Sequence, residues 1–292
     1  MKFLWLTSFR PLGKSKINDF FQSIFVDSVQ SLNLDITFSL TQFEEENVEE
    51  FIKNKNIKCY FNNLSKSTLP ENKKYSNKIM LDYALDQYID DGNFEYLVYS
   101  TADIIVPNNF AKSLKKIKEE NFCSFIWPNI HVVNGNINNT FWPHYGIDLI
   151  IFKLSVSKAI KFKQMIKSYN QYDWGINENF YLSACDSLNL KRNNLYKHSK
   201  VLKFDNDFEA FTEDRSWQIK TWNENQKYFL NFLKENKISK LYAYGSYFYL
   251  LFKVFNFKDL NFSLFISHII YYPYFLFLKI LNMLKKKFSY KK

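Results

Sequence analysis

The chain has 292 residues, enough to bury one large core or two small ones. Its net charge of +10 does not by itself point to nucleic acid, because 36 of its 39 basic residues are lysine and only Arg10, Arg192 and Arg215 offer a planar fork to a base or phosphate. Cys59, Cys123 and Cys185 stand more than sixty residues apart with no C-x-x-C pair, which argues against a disulfide framework or a zinc cage and fits a reducing compartment.

In chain order, residues 3–6 read as a short apolar strand that ends in Thr7, Ser8, Phe9, Arg10 and Pro11. Four apolar residues before Thr7 are too few for a signal-peptide core. Ile17, Phe20, Phe21, Ile24 and Phe25 recur at helical spacing, which completes a βα unit. Residues 34–40 alternate apolar and polar, the acidic run Glu44 to Glu50 opens a second helix, and 57–61 form a third strand. A helix over 76–90 places Met80, Ala84 and Tyr88 on one side, and Gly92 and Asn93 end it. Tyr96, Leu97, Val98 and Tyr99 then have the character of a buried strand, which should leave the core near Asp103. Asn108 caps a helix carrying Phe110, Leu114 and Ile117. Strands at 122–127 and 147–152 and a helix near 155–168 follow.

This alternation predicts an α/β fold with a mostly parallel central sheet flanked by helices. In an open sheet of that kind, ligands bind beyond the carboxyl ends of the strands, which is where Asp103 falls. The six glycines form no G-x-G-x-x-G and no G-K-[ST], so a Rossmann dehydrogenase or a P-loop NTPase is not expected.

The last fourteen residues carry six lysines and no acid. Before them, residues 260–278 form an uncharged window of nineteen residues that contains His268, Pro273 and several aromatics, a composition suited to the headgroup region more than to the hydrocarbon centre. The expectation is a helical, aromatic and basic tail over 231–292 that lies on an anionic membrane surface. Packing of that helix onto the domain is the alternative.

The strand ending at Asp103, with FLWLTSFRP, KIMLDYALDQ, FEYLVYSTADIIVP, GIDLIIF and DWGINENFYLSA, resembles in order and spacing the GT-A nucleotide-sugar glycosyltransferases of the bacterial surface-polysaccharide type. The resemblance covers roughly residues 1 to 205 and departs from the family at the D-x-D motif, where Thr101 replaces the first acid and Asp103 remains. It implies a GT-A-like catalytic domain over 1–230, with a nucleotide-sugar half at 1–120 and an acceptor half at 121–230. It also implies a divalent cation, Mn²⁺ or Mg²⁺, held by Asp103 and His198.

On the same resemblance Thr7, Ser8, Arg10, Thr101 and Asp103 contact the donor, while His144, Asp148 and Trp174 contact the acceptor. Glu178 or Asp173 takes the acceptor proton if the displacement is inverting, and the same acids orient the acceptor if it is retaining. His131 is a further candidate ligand. The bland roles are a capping or turn aspartate at Asp103, a turn-closing one at Asp148 and helix-start acids at Asp173 and Glu178. The expected activity is sugar transfer from a nucleotide-sugar donor to a glycan or lipid-linked acceptor in surface polysaccharide synthesis, at the cytoplasmic face of the inner membrane, with no nucleic-acid partner. A sugar nucleotidyltransferase and a non-catalytic glycan- or nucleic-acid-binding module remain as alternatives.

Overall fold

Seventeen elements are named here in a computed structural model that describes residues 1–44, 48–65, 77–117, 120–126, 130–133, 136–139, 148–167, 177–193, 201–204 and 227–239. The strands are β1 (Lys2–Thr7), β2 (Asp35–Phe43), β3 (Lys58–Leu64), β4 (Tyr96–Ser100), β5 (Ile104–Ile105), β6 (Phe122–Ile126), β7 (Ile130–Val133), β8 (Asn136–Asn139), β9 (Leu149–Lys153), β10 (Lys191–Asn193) and β11 (Leu202–Phe204). The helices are α1 (Lys16–Gln30), α2 (Val48–Asn54), α3 (Asn77–Asp91), α4 (Phe110–Leu114), α5 (Val156–Ile166) and α6 (Asn177–Ser187), and a further helical segment covers 227–235.

Seven strands form one sheet in the order β10-β6-β9-β4-β1-β2-β3. Six run parallel and β9 alone is reversed, pairing antiparallel with both β4 and β6. A smaller sheet joins β5, β11, β7 and β8.

Both faces of the large sheet are buried, as its apolar runs require. Alternation along β1 sends Phe3 and Trp5 into one core with α1, α2 and α4, and Leu4 and Leu6 into another with α3, α5 and α6. β9 does the same with Leu149 and Ile151 against Ile150 and Phe152. The first core is built on rings: Trp5 packs against Phe25, Phe38 and Phe110 at centroid distances of 6.3, 6.5 and 5.8 Å. In the second, the 227–235 segment contributes Phe229, Phe232 and Leu233, with Phe232 edge-on to Phe180 at 4.8 Å.

Helix ends follow from local chemistry. Ser15 has extended dihedrals and accepts from the Asn18 amide at the start of α1. Asn33, Asn56 and Asn189, at φ of 50°, 53° and 49°, follow α1, α2 and α6 in the left-handed position that glycine usually takes. Gly92, at φ +64°, ends α3 as expected.

Phe232 is fully buried, so Phe232→Ala should lower unfolding free energy by about 3–5 kcal/mol in urea titration. Phe20→Ala, at a side chain 59% exposed, should stay within about 0.5 kcal/mol. Burial pushes the Cys59 thiol up to about 12, and Cys123 and Cys185 are fully buried. All three should therefore remain protonated or inaccessible and resist iodoacetamide at about pH 8 in the native protein while reacting in denaturant, as counted by mass spectrometry.

Candidate functional site

The large sheet reverses its order at β1, with β2 on one side and β4 on the other. The carboxyl ends of β1 and β4 therefore border the crevice where open α/β sheets hold ligands. Side-chain bonds tie the two ends together. Trp5 Nε1 donates to Ser100 Oγ at 2.8 Å, and Thr7 Oγ1 donates to the Ser100 carbonyl at 2.9 Å, both buried.

Because β9 runs against its neighbours, its first residues arrive at this same edge. The register pairs Ser100 with Leu149, which sets Asp148 opposite Thr101. The Thr101 amide donates to the Asp148 carbonyl at 3.0 Å, and Thr101 Oγ1 donates to Asp148 Oδ1 at 3.3 Å. Asp148 is only 3% exposed. Thr101 thus offers a hydroxyl that can bond a neighbouring carboxylate, where an aspartate would repel it.

Beyond Thr101 the backbone keeps alternating. Ala102, Ile104 and Val106 enter the core shared with α1 and α4, while Thr101, Asp103 and Ile105 are half-buried on the other side. Asp103 is held between two pinned points: Thr101 on Asp148, and β5, which pairs antiparallel with β11.

The rim continues over β2 and β3 as polar groups, with Gln42 and Asn62 buried and Asn63 exposed. Asn62 Nδ2 donates to Ser39 Oγ and Thr41 Oγ1, and Gln87 Nε2 of α3 donates to Asn62 Oδ1 at 2.9 Å. On the opposite face Asn63 Nδ2 donates to Glu49 Oε2, and Asn63 Oδ1 accepts from Gln42 Nε2 at 2.9 Å. The carboxylate end fixes the direction of that relay, since Glu49, held below the usual carboxylate range by Lys53 and Asn63, only accepts. Gln42 is therefore left with a buried carbonyl oxygen that has no partner among the described residues. Gln22 is the converse: its oxygen accepts from the Arg10 amide at 2.5 Å and its buried amide nitrogen has no partner among the described residues.

Of the residues singled out in the sequence, Thr7, Thr101, Asp103 and Asp148 meet at the β1–β4 edge, with half-buried Ser8 next in the chain. Arg10 is exposed, and its guanidinium reaches Asn18 Oδ1 at 3.4 Å. Glu178 lies in the first turn of α6, and His131 occupies β7, where its backbone pairs with Lys203. His144, Asp173, Trp174, His198 and the tail at 260–284 lie outside the described residues. Sequence reading passed over Gln22, Gln42, Asn62, Asn63 and Gln87. For Gln42, Asn62 and Asn63 the usable signal was polar residues at the ends of two strands with apolar neighbours.

Among the described residues no group of three or more His, Cys, Asp or Glu stands close enough to hold a metal ion. The donors at the β1–β4 edge are carboxylate and hydroxyl oxygens, a hard set that suits Mg²⁺ or Mn²⁺, which take one or two carboxylates beside phosphate oxygens.

No protein-family model matches the chain, and no curated protein matches it in sequence. Among solved structures it is similar to TarS 1-349 of S. aureus in complex with UDP-GlcNAc, at 11% identity and a TM-score of 0.47, over 70% of this chain and 59% of that one. It is similar to the inositol-1-phosphate CTP transferase from T. maritima at 11% identity and 0.42, over 75% and 94%. A third is a glucose-1-phosphate thymidylyltransferase from Bacillus anthracis, described as putative, in complex with a sucrose, at 12% identity and 0.38, over 70% and 89%. The chain spans about three fifths of the TarS fragment.

Thr101→Val should leave the buried Asp148 carboxylate short of a donor and cost about 1–3 kcal/mol in chemical denaturation. Thr101→Ser, which keeps the hydroxyl, should recover most of that loss.

Proposed function

We propose that the protein is a nucleotide-sugar-dependent glycosyltransferase whose donor diphosphate lies at the carboxyl edge of β1 and β4. The observation that carries this reading is the Thr101–Asp148 contact, which joins a second carboxylate to the degenerate motif ending at Asp103. The reversal of strand order at β1 and the sequence resemblance support it.

On this reading Asp103 and Asp148 hold a divalent cation, with His198 as a further ligand. When bound, that cation supplies Lewis-acid neutralisation of the charge gathering on the departing diphosphate. The chain's own residues do the rest. Thr7 and Ser8 orient the phosphates and Arg10 takes their outer charge. His144 and Trp174 seat the acceptor sugar. Glu178 or Asp173 accepts the proton of the attacking hydroxyl, and most of the rate comes from alignment and electrostatic stabilisation. Asp148, assigned to the acceptor from sequence, moves to the donor side because it pairs with Thr101. The tail over 231–292, with its six terminal lysines, would keep the enzyme at the cytoplasmic face of the inner membrane beside a glycan or lipid-linked acceptor.

Release of nucleoside diphosphate from UDP-, GDP- or other nucleotide sugars, with Mn²⁺ and with chelator, tests the proposal. Asp103→Asn should fold normally and lose about a hundredfold or more in turnover. Pyrophosphate release from a nucleoside triphosphate and a sugar phosphate, with no transfer, would instead make the protein a nucleotidyltransferase. Absence of both reactions and of nucleotide binding would leave a binding module.

A further inference from the structure

Helix α1 buries one side and leaves a second apolar side in solvent. Phe21, Phe25, Val26 and Val29 are buried, whereas Ile17 is 46% and Phe20 59% exposed, with Ile24 half-buried in line. Spacing of i, i+3 and i+7 makes Ile17, Phe20 and Ile24 one stripe. Exposed apolar residues scattered singly are ordinary. This stripe starts in the first turn of a helix whose approach is cationic: Arg10, Lys14 and Lys16 are all exposed. Gly13, at φ +79°, turns the chain between them and donates its amide to Asp19 Oδ2 at 3.0 Å. Asp19 is the one acid between residues 10 and 20, so three cations there stand against one anion.

We infer that residues 10–24 form a membrane-docking face. The Ile17–Phe20–Ile24 stripe enters the boundary between headgroups and acyl chains, and the cations beside it take anionic headgroups. Charge selects this occupant. In a two-fold contact with a second copy, the same three cations would face their equivalents, whereas an anionic leaflet complements them. The other exposed apolar pair, Val156 at 44% and Ile160 at 43%, lies on α5 in the opposite helical layer, and α5 follows the reversed strand β9 at the far edge of the sheet. The stripe on α1 begins directly after the carboxyl end of β1, so docking there brings the β1–β4 edge to the membrane surface. The inference does not depend on the reaction proposed above.

Full-length protein is sedimented with phosphatidylcholine vesicles and with vesicles in which about a third of the lipid is phosphatidylglycerol. Wild type should favour the anionic vesicles and dissociate as salt rises. Ile17→Ala/Phe20→Ala should weaken binding about tenfold with an unchanged melting temperature. Lys14→Gln/Lys16→Gln should reduce the preference for anionic lipid. Wild type that ignores anionic vesicles, or an apolar double variant that sediments like wild type, overturns the inference. So does a double variant that changes only the molecular mass in light scattering, which would identify a self-association face. Nucleotide binding and turnover are measured separately, so failure here leaves the proposed reaction standing.

Discussion

One reversed strand determines what stands at the working edge of this protein. Parallel strands deliver their carboxyl ends to one side of a sheet, and residues joined to their amino ends stay on the other. β9 breaks that rule, so Asp148, just ahead of it in the chain, meets Thr101, just past the end of β4. Were β9 parallel, the same edge would receive the Lys153 end and a positive charge in place of a carboxylate. The direction of a five-residue strand thus sets the sign of the charge beside Thr101.

The rest of the edge is held by buried polar bonds, which reward a single geometry. Trp5 and Thr7 both engage Ser100, so β1 and β4 cannot slip by a residue without stranding an indole N–H and a hydroxyl in the core. Along β2 and β3 the amides of Gln42, Asn62, Asn63 and Gln87 satisfy one another in part. The incomplete pairings at Gln42 and Gln22 carry a desolvation cost that a fully bonded network avoids. They lie in the layer of α1 and α2, where Phe9 packs between Phe25 and Phe51.

Much of the fold was legible because periodicity reports burial. The α/β class, the mostly parallel sheet and the helices near 16–30, 77–91 and 156–166 follow from apolar spacing alone. Strand ends were less legible. β2 was expected over 34–40 and runs Asp35–Phe43, and β3 was expected over 57–61 and runs Lys58–Leu64, because polar residues at their tips bond across the pair. Apolar pattern is blind to that. It is equally blind to strand direction: IDLIIF reads the same parallel or reversed, so the pairing of Asp148 with Thr101 is not legible in it. Thr101 and Asp103 were visible as a broken motif, and only the register of β4 with β9 shows what stands beside the break.

The electrostatics of the edge also bear on how a diphosphate could be bound there. Asp148 brings a buried carboxylate to Thr101, two residues before Asp103, and the Thr101 hydroxyl quiets it without cancelling its charge. A diphosphate approaching such a surface is repelled unless positive charge lies between, and Arg10, the cation nearest in sequence to Thr7, is exposed and bonded to Asn18. A solvated guanidinium is too weakly coupled to offset two buried or half-buried acids. On the proposed reading a divalent cation held by Asp103 and Asp148 would supply that positive charge. Donor binding and metal binding would then form a single coupled equilibrium, in which each strengthens the other by the same factor.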